Sequence, residues 1–207
     1  MRVAVIGASG RTGRATAAHA IAAGDQVVSV VRTPARAPTG TTVAQAEARD
    51  VAALTAAISD VDAVVSCIGH AAGEEDPTLL RDGAAALVAA MDAAGVKRLV
   101  AVSAAAPYIA GDDPLSRFVA KPLLERMLKA NNVDTRAMEE VVRASSTDWT
   151  LLRPSRLVAG EGRSNYRRRV DQAVWWHYNT RFHTVGRAAV DALTTDHWIG
   201  HALFITE

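Results

Sequence analysis

The feature that most constrains this chain lies at its start. A short apolar run, Arg2-Val3-Ala4-Val5-Ile6, leads directly into Gly7-Ala8-Ser9-Gly10-Arg11-Thr12-Gly13. Helical spacing then continues from Arg11 to Ala23, where Gly24 stops it. A glycine-rich turn placed after a strand and before a helix is the context in which such a motif binds phosphate. Gly7 permits the tight turn. Gly10 removes a side chain that would block backbone approach, and Gly13 lets the helix pack close to the sheet. The N–H groups at the helix start, those of Ser9, Arg11 and Thr12 among them, then face a pyrophosphate. The plain alternative is a strand-turn-helix that binds nothing.

The pattern repeats along the chain. Gln26–Val31, Thr42–Ala46, Asp62–Ile68, Lys97–Val102 and Trp149–Leu152 read as strands, the last stopped by Arg153-Pro154. Between them Val51–Ile58 and Leu79–Ala94 read as helices, the second closed by Gly95. A further helix is expected over Leu115–Ala130, with Pro122 opening or kinking it, and another over Thr135–Ala144 with Asp134 as its N-cap. Ser155–His183 reads as irregular. A short helix near Arg187–Leu193 and a strand Ala202–Thr206 end the chain. Strands apolar throughout and separated by helices predict an α/β, Rossmann-type doubly wound parallel sheet with helices on both faces. Ligands bind outside the carboxyl ends of such strands.

At 207 residues the chain suits one such domain, its substrate side drawn mainly from residues 104–120 and 154–185. A formal net charge of +1 gives no field favouring nucleic acid or a membrane surface. One cysteine fits a reducing compartment, and no apolar run has the length of a membrane span, so the expectation is a cytoplasmic protein.

The strand-two end selects the cofactor. An NAD site places Asp or Glu there to hold the ribose hydroxyls. Here the residues are Val30-Val31-Arg32, and Arg32 would bond a 2′-phosphate, with Arg36 and Arg11 able to close over the same group. NADP(H) is therefore favoured over NAD. Asp50-Val51, after strand three, is placed to meet the adenine. In Ser66-Cys67-Ile68-Gly69, Gly69 would let the backbone approach the nicotinamide ribose, and Cys67 reads as a small core residue rather than a nucleophile.

No tyrosine stands four residues before a lysine. Tyr108 is followed at that spacing by Asp112, Tyr166 by Val170 and Tyr178 by Phe182. The pair that lets a phenol exchange a proton with an alcohol is missing. Hydride transfer to an electron-poor conjugated ring needs no such pair. Ser103, ending strand five, could hold the nicotinamide carboxamide, donate to the acceptor, or cap the following turn. Tyr108 could stack on an acceptor or serve as core or lid. Arg167-Arg168-Arg169 and Trp175-Trp176-His177-Tyr178 could form a lid. The plainer and preferred reading is solvated charge beside aromatics packed on the sheet or on a partner subunit, as in a homodimer. His197 and His201 are four apart, but Gly200 argues against a helix there, so no metal site is expected.

GASGRTG, VVR, ARDV, VVSCIG, GVKRLVAVSA and LLRPSRL together resemble an atypical short-chain dehydrogenase/reductase. The group is the NAD(P)H-binding family that includes flavin reductase/biliverdin-IXβ reductase and NmrA-like proteins. The resemblance covers residues 1–157 and the last helix and strand. It implies NADP(H), a small-molecule acceptor, and cofactor contacts from Gly7, Gly10, Arg11, Thr12, Arg32, Asp50, Val51, Ile68 and Gly69. It places Ser103 near the nicotinamide. The flavin-reductase relatives carry a histidine shortly after the strand-six proline. This chain has Pro154-Ser155-Arg156, so its acceptor pocket differs. An NmrA-like dinucleotide sensor without turnover is the alternative reading.

Overall fold

A computed structural model describes residues 1–70, 76–108, 111, 114, 129–160 and 165–207. The apolar runs become the strands of one sheet. They are β1 (Arg2–Ile6), β2 (Gln26–Val31), β3 (Thr42–Gln45), β4 (Ala63–Ser66), β5 (Arg98–Val102), β6 (Asp148–Pro154) and β10 (His201–Thr206). The sheet has eight strands in the order β3-β2-β1-β4-β5-β6-β10-β8, with β8 (Arg167–Val170) at one edge. Every pairing in it is parallel except β8 against β10. Outside it, β7 (Arg156–Val158) pairs in parallel with β9 (Asn179–Arg181).

Helices cover both faces, as the period of the apolar residues requires. On one face α2 (Val51–Ile58), α3 (Leu79–Ala94) and α4 (Lys129–Ala144) press Leu54, Ile58, Leu87, Met91, Met138 and Val142 against Ala4, Val28, Val64, Leu99 and Leu151. On the other, α1 (Arg11–Ala22) and α5 (Phe182–Leu193) cover the alternate side chains of the same strands. Val5, Val27 and Val31 meet Ala17 and Ala20, and Val3, Val65, Val100 and Leu203 meet Val185, Ala188 and Ala192. This is the doubly wound Rossmann architecture. Its winding reverses between the parallel strands β1 and β4, which opens a crevice at their carboxyl ends.

Several boundaries differ from the sequence reading. β6 does not stop before Arg153-Pro154 but runs through both, because Arg153 finds a buried partner and Pro154 sits at the strand end, pairing with Ile205. Ser155–His183 is not irregular: it holds β7, β8 and β9, and α5 begins already at Phe182. Asp134 does not cap its own helix. It lies inside α4, and its buried carboxylate accepts from Leu80 N at 2.8 Å and Arg81 N at 3.0 Å, capping α3 instead. The expected helix over residues 115–128 lies outside the described residues. No described helix is long and apolar enough to cross a membrane.

Candidate cofactor site

The turn after β1 is built as its glycines require. Gly7 has φ +75°, and a Cβ there would lie 2.8 Å from Cys67 O. A Cβ on Gly13 would lie 2.3 Å from Gly7 O, which is where α1 passes over the turn. Gly7 and Ala8 donate to Val30 O, and Gly10 N to Gly7 O, so the turn is tied to β2 and to itself. No side chain caps α1 at Gly10, and its first turn holds no acidic residue. Among the described residues, the N–H groups of Arg11, Thr12 and Gly13 have no backbone partner. A helix start of this kind, with its partial positive charge uncancelled, fits a pyrophosphate.

Arginines flank the end of β2, where the sequence reading places the adenosine. Arg32 is exposed immediately after β2, and its carbonyl accepts from Gln45 Nε2 at 3.1 Å. Arg36 is also exposed. Arg14, which the sequence reading passed over, fastens this region: its Nε donates to Ser9 O at 3.1 Å and its Nη2 to Arg36 O at 2.6 Å. Arg14 sits one helical turn after Gly10, a spacing that could have marked it. Arg11 points elsewhere, its guanidinium 4.2 Å from the centre of the Phe182 ring.

The remaining turns line the same sheet edge. The Asp50 carboxylate accepts from Ala53 N at 3.0 Å as the N-cap of α2, which begins at Val51. Arg49 beside it forks onto Asp76 at 2.6 and 3.0 Å, joining the turn after β3 to the start of α3. After β4, Cys67 N donates to Ile6 O at 2.9 Å, and Ile68 packs over Gly83. Gly69 is exposed. The Cys67 side chain packs among the core residues, with Sγ 3.6 Å from Thr16 Oγ1. Burial pushes its thiol up to about 12, with the Thr16 contact opposing in part. The core reading of Cys67 thus agrees with its packing.

The carboxyl end of β5 carries a network only partly legible in the sequence. Ser103 Oγ donates to Glu139 Oε1 at 2.6 Å. Arg153 on β6 forks onto the same carboxylate, Nε to Oε1 at 2.9 Å and Nη2 to Oε2 at 2.5 Å. Glu139 is 2% exposed and Arg153 6%. The Tyr108 ring lies under Arg153, 3.3 Å from the guanidinium carbon to the ring centre. Burial, with the negative charge of Glu139, pushes its phenol above its ordinary 10.0, against the pull of Arg153. Arg143 Nη2 reaches Glu139 Oε2 at 3.5 Å. Tyr108 therefore stacks on Arg153, and neither hydroxyl is poised to leave as an oxyanion. Glu139 shares the α4 stripe of Thr135, Met138 and Val142, all buried, and that spacing was the available signal.

The arginine and tryptophan stretch divides. Arg167–Val170 forms the exposed edge strand β8, and Arg168 lies over the Trp198 ring at 5.0 Å. Trp175 and Trp176 are 49% and 59% exposed, and Trp175 Nε1 donates to Gly111 O. His201 pairs with Asp171 at 2.7 Å rather than with His197.

Residues 7–196 match the model of a family described as NAD(P)H-binding. A short-chain dehydrogenase/reductase from Veillonella parvula, solved in complex with NADP, is 16% identical, with a TM-score of 0.83 over 100% of this chain and 94% of that one. A Streptococcus pneumoniae protein named as an NADH-flavin reductase is 19% identical, with a TM-score of 0.80 over 100% and 99%. A Burkholderia pseudomallei protein named as exported is 25% identical, with a TM-score of 0.85 over the whole of both chains. A match across nearly the whole chain, on a fold that keeps the glycine-rich turn, makes this protein a member of the NAD(P)H-binding family, with a nicotinamide dinucleotide as its cofactor.

Proposed function

We propose that the protein is an NADPH-dependent reductase that passes hydride to a small conjugated acceptor, a flavin or a quinone. The observation that carries this reading is the disposition of protons at the end of β5. Ser103 gives its hydroxyl proton to Glu139, and burial beside that carboxylate holds the Tyr108 phenol in its protonated form. Carbonyl reduction needs a proton delivered with the hydride, and these hydroxyls have none to spare. A flavin or quinone takes hydride as a delocalised anion that water protonates. The bound dinucleotide supplies hydride from C4 of its reduced ring. The chain's own work is then to hold the two planes in register and to exclude side reactions.

The preference for NADP(H) rests on Arg32, with Arg36 beside it and Arg14 bracing the loop. No acidic residue lies between Gln26 and Thr42 to hold the ribose hydroxyls of NAD. The NADP complex of the Veillonella protein and the flavin-reductase name of the Streptococcus protein support the same reading.

The test is loss of NADPH absorbance with quinones, flavins and simple aldehydes in parallel. Turnover with the first two and none with aldehydes is expected. Aldehyde reduction would contradict the reading. Binding without turnover across the panel would favour a dinucleotide sensor, which the same committed hydroxyls allow.

A further inference from the structure

We propose that Glu139 is a positioning residue that makes Ser103 a hydrogen-bond acceptor, so that Ser103 holds the nicotinamide by the N–H of its carboxamide. The inference rests on the NADPH reading above and specifies how that end of the cofactor is gripped.

A buried ion pair is seldom kept for stability, since an apolar pair of similar volume does as well or better. Glu139 and Arg153 nevertheless sit almost fully buried directly behind Ser103, at the sheet edge where the ligand binds. Four donors converge on the Glu139 carboxylate: Ser103 Oγ, Arg153 Nε and Nη2, and Arg143 Nη2. Arg153 contributes through a bidentate fork, which fixes the plane of the carboxylate.

A serine hydroxyl has one proton. At 2.6 Å from a carboxylate oxygen, that proton is spent in a charge-assisted bond. Turning it toward a ligand would exchange this charge-assisted bond for a neutral one and leave Oε1 with Arg153 Nε alone. The lone pairs of Oγ remain, made more basic by the bond on the far side. Ser103 can therefore receive an N–H but cannot polarise a carbonyl. At the nicotinamide ring the donor is the carboxamide NH₂, and gripping it fixes which way the ring faces.

Replacing that NH₂ by CH₃, as in the 3-acetylpyridine analogue of NADP⁺, removes the donor and leaves the carbonyl. The purified full chain is titrated with NADP⁺, with the analogue, and with 2′,5′-ADP, which carries only the adenosine half. Wild type should bind the analogue roughly five- to tenfold more weakly than NADP⁺. In Ser103→Ala the preference should vanish. In the apolar pair Glu139→Leu/Arg153→Met it should vanish although Ser103 is present, while 2′,5′-ADP binds as in wild type. If that pair does not fold, Glu139→Asp, which keeps a charge for Arg153 but draws back from Ser103, carries the same expectation. Equal binding of NADP⁺ and analogue by wild type would overturn the proposal. So would a preference surviving in Ser103→Ala or in the Glu139 variants. Failure of wild type to bind 2′,5′-ADP would bring down the cofactor reading itself, and this inference with it.

Discussion

Gly13 shows how little space the phosphate turn leaves. Its missing Cβ would overlap Gly7 O at 2.3 Å and Ala8 Cα at 2.7 Å, all backbone, so no side chain can move aside. Gly13→Ala should cost about 1–3 kcal/mol of stability by overpacking and should weaken dinucleotide binding at least tenfold. Urea unfolding and a binding titration check both effects. Cys67 gives a second test. Its folded thiol ionises near 12 against an ordinary 9.0, so at pH 8 it should resist iodoacetamide while the unfolded chain reacts at the normal rate. The sign for stability follows: the unfolded chain loses its proton first, so stability drains away between about pH 9 and about pH 12, and Cys67→Ala should remove that part of the alkaline slope. At this scale the glycines were legible because backbone geometry dictates them. Arg153 and Glu139 were not. An arginine before a proline reads as a strand end, and only the fold shows that a carboxylate 14 positions upstream waits for it. Asp134 misled in the same way, since its partners lie 54 and 53 residues away.

Elements were legible where an apolar face announced them. β1, β2, α2 and α3 have the bounds their patterns predict, and Gly95 closes α3 in the left-handed conformation at φ +72°. β8 was illegible because all four of its residues are exposed, so no period marks it. It exists because β10 offers it an edge. The contact of α1 with α5 depends on Gly186, whose Cβ would lie 2.5 Å from the Ala15 carbonyl carbon. Across the same contact His19 Nε2 stands 3.3 Å from His183 Nδ1. Burial lowers His19 from its ordinary 6.5, and His183 and Arg187 lower it further while Asp191 opposes. Unfolded His19 therefore takes up a proton before the folded one does. The stability held by neutral His19 is complete above pH 6.5 and is lost as pH falls below it. His19→Gln should flatten the decline in urea midpoint from pH 7 to pH 5, by a modest amount because the pair is partly solvated. Parallel declines in wild type and variant would contradict the assignment.

At the scale of the whole molecule, the strand order does the assembling. Reversal of winding between β1 and β4 brings the turns after β1, β2, β4 and β5 to one edge. Groups 96 residues apart in sequence, Gly7 and Ser103, thereby come to one edge of the sheet. This much followed from alternating apolar runs and helices, because right-handed crossovers leave few other topologies. The strands within residues 154–185 did not follow, since β7, β9 and the exposed Trp175 and Trp176 carry no periodic signal. The central claim is an electrostatic one: the open start of α1 receives a pyrophosphate, and Arg32 receives a 2′-phosphate. Calorimetric titration of wild type and Arg32→Asp with NADPH and NADH tests it most directly. The account predicts heat with both cofactors, tighter binding of NADPH by wild type, and loss of that preference in Arg32→Asp. No heat with either cofactor, or equal weakening of both by the substitution, would contradict it.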